Sequence, residues 1–307
     1  MRETAYKSMK DLPALHLLGG GTPMCAGCGG LEVVRLFHDI LGENTVFVNA
    51  AGCMTLLATY PYTPFRGSWM YTSMASAPAG AQGIRDALDV LIAKGRLSPR
   101  DDLHVVVLTG DGAANGIGLS ATSGAIERGL DFYYLCYDNE GYGNTGYQTS
   151  AATPHGAATA TEHRPGGVPG EKKDLFAIWV AHGPAYAGTI SGDEPVDLAR
   201  KLETAKARKG PKLFIAFTPC PTGWHFEPKE SVHLSRLAVK TGLWALREYV
   251  DGKVRHTRPP APAGKRPPVE EYLRLQGRFA HLFQPRRNEA VLADLQHGVD
   301  AYWEHVV

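Results

Sequence analysis

Three sets of residues in this 307-residue sequence have the types and spacing to do chemistry. The first is Gly110-Asp111-Gly112-Ala113-Ala114-Asn115-Gly116-Ile117-Gly118, directly after the apolar run LHVVVLT. A buried strand that runs through glycines into a helix leaves backbone N–H groups at the helix start, where a phosphate is favoured. Glycine lets the backbone come close to such a ligand. The spacing is not G-x-G-x-x-G, and no G-x-x-x-x-G-K-[ST] occurs. Dinucleotide and P-loop sites therefore lose their main support. An Asp inside the glycine turn points instead to a metal ion bridging carboxylate and phosphates. Taken alone, the turn could also be an ordinary one.

The second set is Tyr137-Asp138-Asn139-Glu140-Gly141-Tyr142-Gly143-Asn144, after the apolar run FYYLCY. If the two runs are neighbouring strands, Asp111 and Asn139 lie side by side at their carboxyl ends, where open α/β sheets bind ligands. Mg²⁺ prefers near-octahedral oxygen ligation. Asp111, the Asn139 amide oxygen, a loop carbonyl, two phosphate oxygens and a water would complete that shell. The third set is the five cysteines, Cys25, Cys28, Cys53, Cys136 and Cys220. Cys25-Ala-Gly-Cys28 could be a redox pair, a zinc half-site or an iron–sulfur half-site. Cys53 and Cys220 each follow a strand, so four thiolates are available for Zn²⁺ or a 4Fe–4S cluster. Cys136 lies within a strand and reads as a small buried hydrophobe.

These sites need elements to position them. Alternating period-2 and period-3.6 segments predict strands at Thr45–Ala50, 103–109, 132–137, 185–190 and 213–217. Helices are expected over 31–41, 81–93, 119–128, 175–182 and 195–208. The order predicts an α/β fold: a doubly wound, mostly parallel sheet with helices on both faces, filling residues 1–250. Residues 251–268 hold five prolines and read as an extended linker or surface arm. A C-terminal helical extension follows, over 269–283 and Glu289–Val306, so that 251–307 form a separate tail.

Composition narrows the function. Lys+Arg is 32 and Asp+Glu 31, which leaves no basic footprint for nucleic acid and no polybasic segment for an anionic membrane. No apolar run reaches the roughly 20 residues of a membrane helix. The amino-terminal segment lacks the core and cleavage site of a signal peptide, so a soluble cytoplasmic protein is expected.

The sequence GDGAANGIGLSATSGAIERGLDFYYLCYDNEGYGNTGYQ, in which 27 residues separate Asp111 from Asn139, resembles the thiamine-diphosphate motif. More closely it resembles the β subunit of the 2-oxoacid:ferredoxin oxidoreductases, the pyruvate:ferredoxin oxidoreductase superfamily. CAGCGG, AGCM, PCPTGWHFEPKESVHLSRLAVKTGLWALREYVDGKV and PVEEYLRLQGRFAHLF extend the likeness over nearly the whole chain. The resemblance implies Mg²⁺ held by Asp111, Asn139 and the Gly141 carbonyl. Thiamine diphosphate would be lined by Gly110, Asp111, Gly112 and Ala113 and by residues 139–144. Within that second stretch it implies Tyr142 beside the cofactor and Asn144 in a catalytic position near the thiazolium ring. It further implies that Cys25, Cys28, Cys53 and Cys220 hold a 4Fe–4S cluster, with Cys53 also near the cofactor. One departure is Gly30, where many members carry Glu, so no polar contact is carried over to it.

The implied activity is oxidative decarboxylation of a 2-oxoacid, with pyruvate the commonest and branched-chain or aryl oxoacids also used. Electrons would pass through the cluster to ferredoxin, and coenzyme A would take the acyl group in most relatives. Family enzymes use a Glu from a separate pyrimidine-binding domain, and nothing in this sequence resembles that module. An α subunit supplying the Glu and the substrate pocket is therefore expected, with γ and ferredoxin-like δ subunits or their fused equivalents. Two other readings remain: a non-oxidative thiamine enzyme subunit, and a zinc-stabilised interaction subunit without catalysis.

Other residues carry blander expectations. None of the twelve histidines forms H-x-x-x-H or H-E-x-x-H. His38 and His104 are expected to pack or sit at the surface, while His155 and His182 follow the cofactor loop. Phe65, Trp69 and Tyr71 suggest a subunit interface, and Glu171-Lys172-Lys173-Asp174 a solvated helix start.

Overall fold

The computed structural model describes residues 6–59, 61–162 and 164–306. Residues 1–5 of the amino-terminal segment, Tyr60 in the aromatic stretch and His163 lie outside them. The strands are β1 Thr45–Ala50, β2 Ser68–Thr72, β3 His104–Gly110, β4 Tyr133–Asp138, β5 Tyr186–Ser191, β6 Lys212–Phe217, β7 Leu246–Val250 and β8 Lys253–Arg258. The helices are α1 Gly29–Leu41, α2 Ala77–Ala93, α3 Leu119–Glu127, α4 Leu175–Val180, α5 Pro195–Lys206, α6 Pro221–Trp224, α7 Ser231–Lys240, α8 Val269–Arg274 and α9 Glu289–Val306.

One sheet runs in the order β2-β1-β3-β4-β6-β5-β7-β8. The first six strands are parallel, and β7 and β8 close the edge antiparallel. Interior strands are buried on both faces, which explains their unbroken apolar runs. In β3, Val105 and Val107 join one core while Val106 and Leu108 join the other. In β4, Tyr134 and Cys136 face the first core and Tyr133, Leu135 and Tyr137 the second. Cys136 is fully buried among hydrophobic side chains, as its strand position predicts.

The structure adds elements that the sequence reading lacks. Helices α6 and α7 and strands β2 and β7 are not among the expected ones, and 68–72 forms an edge strand carrying the stacked Trp69 and Tyr71. Residues 253–258, read as part of an extended arm, form β8, paired with β7. Asp251 and Gly252 turn that hairpin with φ of 52° and 75°, the two positive values that a type I′ turn needs. The expected helix over 269–283 is broken into α8 and a 3-10 segment, Gly277–Leu282. That tail packs on the sheet: Tyr272, Leu273, Phe279 and Leu282 share a core with Phe217 and Trp224. Among the described residues, no helix is long and apolar enough to cross a membrane.

His38 is fully buried on α1, edge-on to Phe47, and neither ring nitrogen has a hydrogen-bond partner among the described residues. Burial lowers its pKa from 6.5 to about 4. The unfolded chain therefore takes up a proton near 6.5 that the folded chain refuses until about 4. This contribution to stability is complete above pH 6.5 and is lost as pH falls towards 4. The ring is packed like a hydrophobe, so His38→Phe should flatten the dependence of Tm on pH in that window. An unchanged slope would show that the ring is not held neutral.

Candidate functional site

The topology gathers the expected residues on one edge. Strands β1, β3, β4 and β6 are consecutive neighbours, and all are parallel. Cys53, Asp111, Asn139 and Cys220 each follow the carboxyl end of one of these four strands. Gly110 pairs with Tyr137 and Asp138 with Phe217, so the loops after β3, β4 and β6 leave the sheet side by side. This is the crevice that α/β sheets use for ligands.

After Gly110 the backbone becomes helical at once, and Gly112 has φ −60° and ψ −39°. A wide turn, Ala113–Ile117, then leads into α3. A side chain at position 112 would strike the Tyr142 ring at 2.3 Å, and Tyr142 Oη donates to Gly112 O at 3.1 Å. Glycine here thus brings the turn after β3 against the loop after β4. Asn115 Nδ2 donates to Asp111 O at 3.2 Å, and Lys173 Nζ to Asn115 O at 2.7 Å.

Asp111 is fully buried and accepts hydrogen bonds from Ser150 Oγ and the Gly141 amide. Burial pushes its carboxyl well above the usual range, and Asp138 adds to the shift. The outer end of the Asn139 amide lies 2.8 Å from Asp111 Oδ1 and 2.8 Å from Gly141 O. In the orientation present the amide oxygen faces both and Nδ2 points towards Gly143, so three oxygens face one point; the reversed amide would instead donate to both oxygens. A divalent cation at that point would be met by all three oxygens. Ligands on a Mg²⁺ octahedron stand about 3 Å apart along each edge, close to the spacing present. The residues present therefore fit Mg²⁺.

The loop holding these oxygens is unusually constrained. Glu140, between Asn139 and Gly141, has φ 60°, a conformation few L-residues adopt. Its carbonyl accepts from Thr153 Oγ1 at 2.8 Å and Tyr147 Oη at 3.1 Å. Trp224 Nε1 donates to Asn139 O at 2.9 Å. The Glu140 carboxylate is buried between Arg278 Nη2 at 2.6 Å and Lys172 Nζ at 3.2 Å. Lys172 also reaches Asp138 Oδ2 at 2.6 Å, and Arg278 lies 3.8 Å over the Trp224 ring. Burial alone would raise the Glu140 carboxyl, but Lys172 and Arg278 outweigh it and the net direction is down.

Sequence reasoning missed this network. Lys172 belongs to the cluster read as a solvated helix start, yet its ammonium bridges two buried carboxylates. The signals available were an Arg flanked by apolar residues in LQGRFAHLF and an acid between the expected ligands in DNEG. Asn144, by contrast, lies in an exposed turn of the same loop. His38, His104 and His182 stand apart from this edge; His182 Nε2 meets Ser123 Oγ at 2.8 Å at the surface.

The cysteine loops are tied together. Gly29 N donates to Pro219 O at 3.2 Å, joining the Cys28 loop to the end of β6. Ser231 Oγ on α7 donates to Gly27 O at 2.6 Å, and Thr222 Oγ1 lies 3.6 Å from Cys25 Sγ. Burial raises the Cys28 and Cys53 thiols to about 11 and about 12, with Cys220 and Cys25 adding to both. The four thiols therefore share one neighbourhood. They are not drawn into a closed ligand set: among the described residues, no group of three or more His, Cys, Asp or Glu is placed to hold a metal ion. The cofactor loop adjoins them, since a side chain on Gly143 would sit 2.6 Å from Asn139 Nδ2 and 3.3 Å from Cys53 Sγ.

Comparison with known proteins gives the family. Residues 50–216, from the end of β1 to β6, match the family "Thiamine pyrophosphate enzyme, C-terminal TPP binding domain". Pyruvate synthase subunit PorB of Methanothermobacter thermautotrophicus is 44% identical over 286 residues, covering 90% of this chain and 94% of that one. Ketoisovalerate oxidoreductase subunit VorB of Pyrococcus horikoshii is 39% identical, covering 90% and 89%. The fold is also that of a 2-oxoglutarate:ferredoxin oxidoreductase from Magnetococcus marinus, at TM-score 0.56 and 24% identity over 71% of this chain and 72% of that one. The glycine turn, the Asp–Asn pair and these relatives lead to one conclusion: the chain belongs to the thiamine-diphosphate-binding β subunits of the 2-oxoacid:ferredoxin oxidoreductases.

Proposed function

We infer that this chain is the cofactor-bearing subunit of a cytoplasmic enzyme that oxidatively decarboxylates pyruvate, passing the acyl group to coenzyme A and electrons to ferredoxin. The observation that carries the inference is the convergence of Asp111 Oδ1, the Asn139 amide and Gly141 O at 2.8 Å spacing beside a glycine turn. These three would hold Mg²⁺, which would anchor the diphosphate against Gly110, Gly112 and Ala113. Bound there, thiamine diphosphate would supply the electron sink for loss of carbon dioxide, and a 4Fe–4S cluster would accept electrons singly. Tyr142 would pack beside the cofactor and Asn144 would reach its reactive ring. Cys25, Cys28, Cys53 and Cys220 would be the cluster ligands, which the joined loops on one sheet edge support. Residues on the exposed side of the site, Asn144 among them, would meet an α subunit carrying the activating Glu and the substrate pocket. The γ and ferredoxin-like δ subunits would complete the electron path.

Pyruvate is favoured because the PorB relative is 44% identical and the VorB relative 39%. Turnover of pyruvate, 3-methyl-2-oxobutanoate and 2-oxoglutarate by the assembled complex, with a viologen as acceptor, tests this. Pyruvate should give the highest kcat/KM. A preference for the branched-chain acid would overturn the substrate, and no viologen reduction with any oxoacid would overturn the activity.

A further inference from the structure

At the opposite end of the parallel strands from Gly110, the first residues of β3, β4 and β6 border a cavity of about 210 Å³. Six cations line it: Arg85 from α2, Arg100 from the loop after α2, Lys206, Arg208 and Lys209 from α5 and its exit, and Lys212 from β6. The lining carboxylates are three: Asp89, Asp101 and Asp131. Asp89 takes Arg85 Nη2 at 2.6 Å, Asp131 is shared by Lys212 and Lys209, and Asp101 lies 3.8 Å from Lys209 Nζ. Arg100, Lys206 and Arg208 reach Asp102, Glu203 and Asp251, which do not line the cavity.

Two buried groups of the lining are left unsatisfied. Among the described residues, Arg85, 6% exposed, has no partner for its Nε, and His104, 8% exposed, has none for its Nε2. A guanidinium N–H buried without an acceptor is costly, and so is a buried ring nitrogen. Both side chains border the same polar space, so one ligand bearing several acceptor oxygens would satisfy them together. We propose that this cavity is a phosphate-binding site, taking inorganic phosphate or the phosphate group of a small phosphoester. Arg85 and His104 form its floor, and Arg100 and Lys209, both well exposed, form its mouth. A phosphate suits the excess of cations and the planar guanidinium fork. The electrostatics point the same way. Burial lowers the His104 pKa to about 4, and Lys206 and Lys212 lower it further against Asp131 and Asp102. Beside burial, the largest cause, each of the two lysines acts on the ring more strongly than either aspartate.

Calorimetric titration of the complete complex, saturated with thiamine diphosphate and Mg²⁺ so that its own phosphate anchor is filled, tests the site. Inorganic phosphate and glycerol phosphate are the two probes. At least one should bind with a single site per chain, and the tighter one identifies the source of the phosphate group. The charge reversal Arg100→Glu/Lys209→Glu, at exposed positions that leave the fold intact, should weaken binding about tenfold or more. Histidine NMR should show the His104 pKa rising when the probe is bound. Absence of binding by either probe, unchanged affinity in the double variant, or an unmoved His104 would each overturn the proposal.

Discussion

Asp111→Asn is expected to weaken thiamine diphosphate and Mg²⁺ binding by about a thousandfold or more, ~4 kcal/mol, and to abolish turnover of the assembled enzyme. The substitution keeps the size of the side chain and removes its charge. Burial and the neighbouring Asp138 push its carboxyl well up despite the hydrogen bonds from Ser150 and Gly141 and the charge of Lys172, so the empty chain bears a net desolvation cost. The variant without cofactor should therefore melt at the same temperature as the parent, or higher. What it should lose is the rise in Tm that the parent gains when cofactor and Mg²⁺ are added. Differential scanning calorimetry with and without both ligands separates the two effects. A variant that melts lower when empty, yet keeps its ligand-induced rise, would assign Asp111 to the scaffold instead of the metal.

Arg278→Met carries the second large effect. It removes one of the two cations that neutralise buried Glu140 and leaves Lys172 to balance both Glu140 and Asp138. Removing one partner of a fully buried ion pair typically costs about 3–5 kcal/mol. The hydrogen bond from Arg278 Nη1 to Tyr147 Oη at 2.7 Å disappears too, and Tyr147 is one of the two side chains holding the Glu140 carbonyl. The positive-φ peptide between Asn139 and Gly141 is then free to relax, so cofactor affinity should fall along with stability. Adding Glu140→Gln to Arg278→Met should recover part of the stability, because the stranded charge is gone. Denaturant titration of the two single variants and the double variant measures the coupling; additive losses would show that the pair is not the unit described here.

The parallel strands were legible because burial on both faces leaves an apolar run too long for a loop and too short for a long helix. The glycine turn and the Asp–Asn pair were legible because each directly follows an apolar strand, and neighbouring parallel strands bring the two loops together. What escaped the sequence was set by tertiary partners. β2 has only a half-exposed edge and no apolar run, so its pairing with β1 determines it. β8 was hidden by the prolines that follow it, although Asp251-Gly252 between two short runs is a hairpin signal in its own right. The Lys172–Asp138–Glu140–Arg278 network joins residues as far apart as 138 positions, and only the folded chain brings them together. Lys172 looked solvated because a charge run normally is; its neighbours Glu171 and Lys173 are indeed exposed.

On the function proposed here, one sheet edge would carry both the thiamine diphosphate anchor and the electron acceptor. The most direct measurement is EPR of the anaerobically purified complex after addition of pyruvate and coenzyme A, comparing the parent with Cys220→Ala. The parent should contain about four iron atoms bound by this chain and show a reduced-cluster signal that depends on the oxoacid. Cys220→Ala should lose that signal and iron while still binding thiamine diphosphate. A colourless parent chain with stoichiometric zinc, or a pyruvate-dependent signal unaltered in Cys220→Ala, would contradict the account.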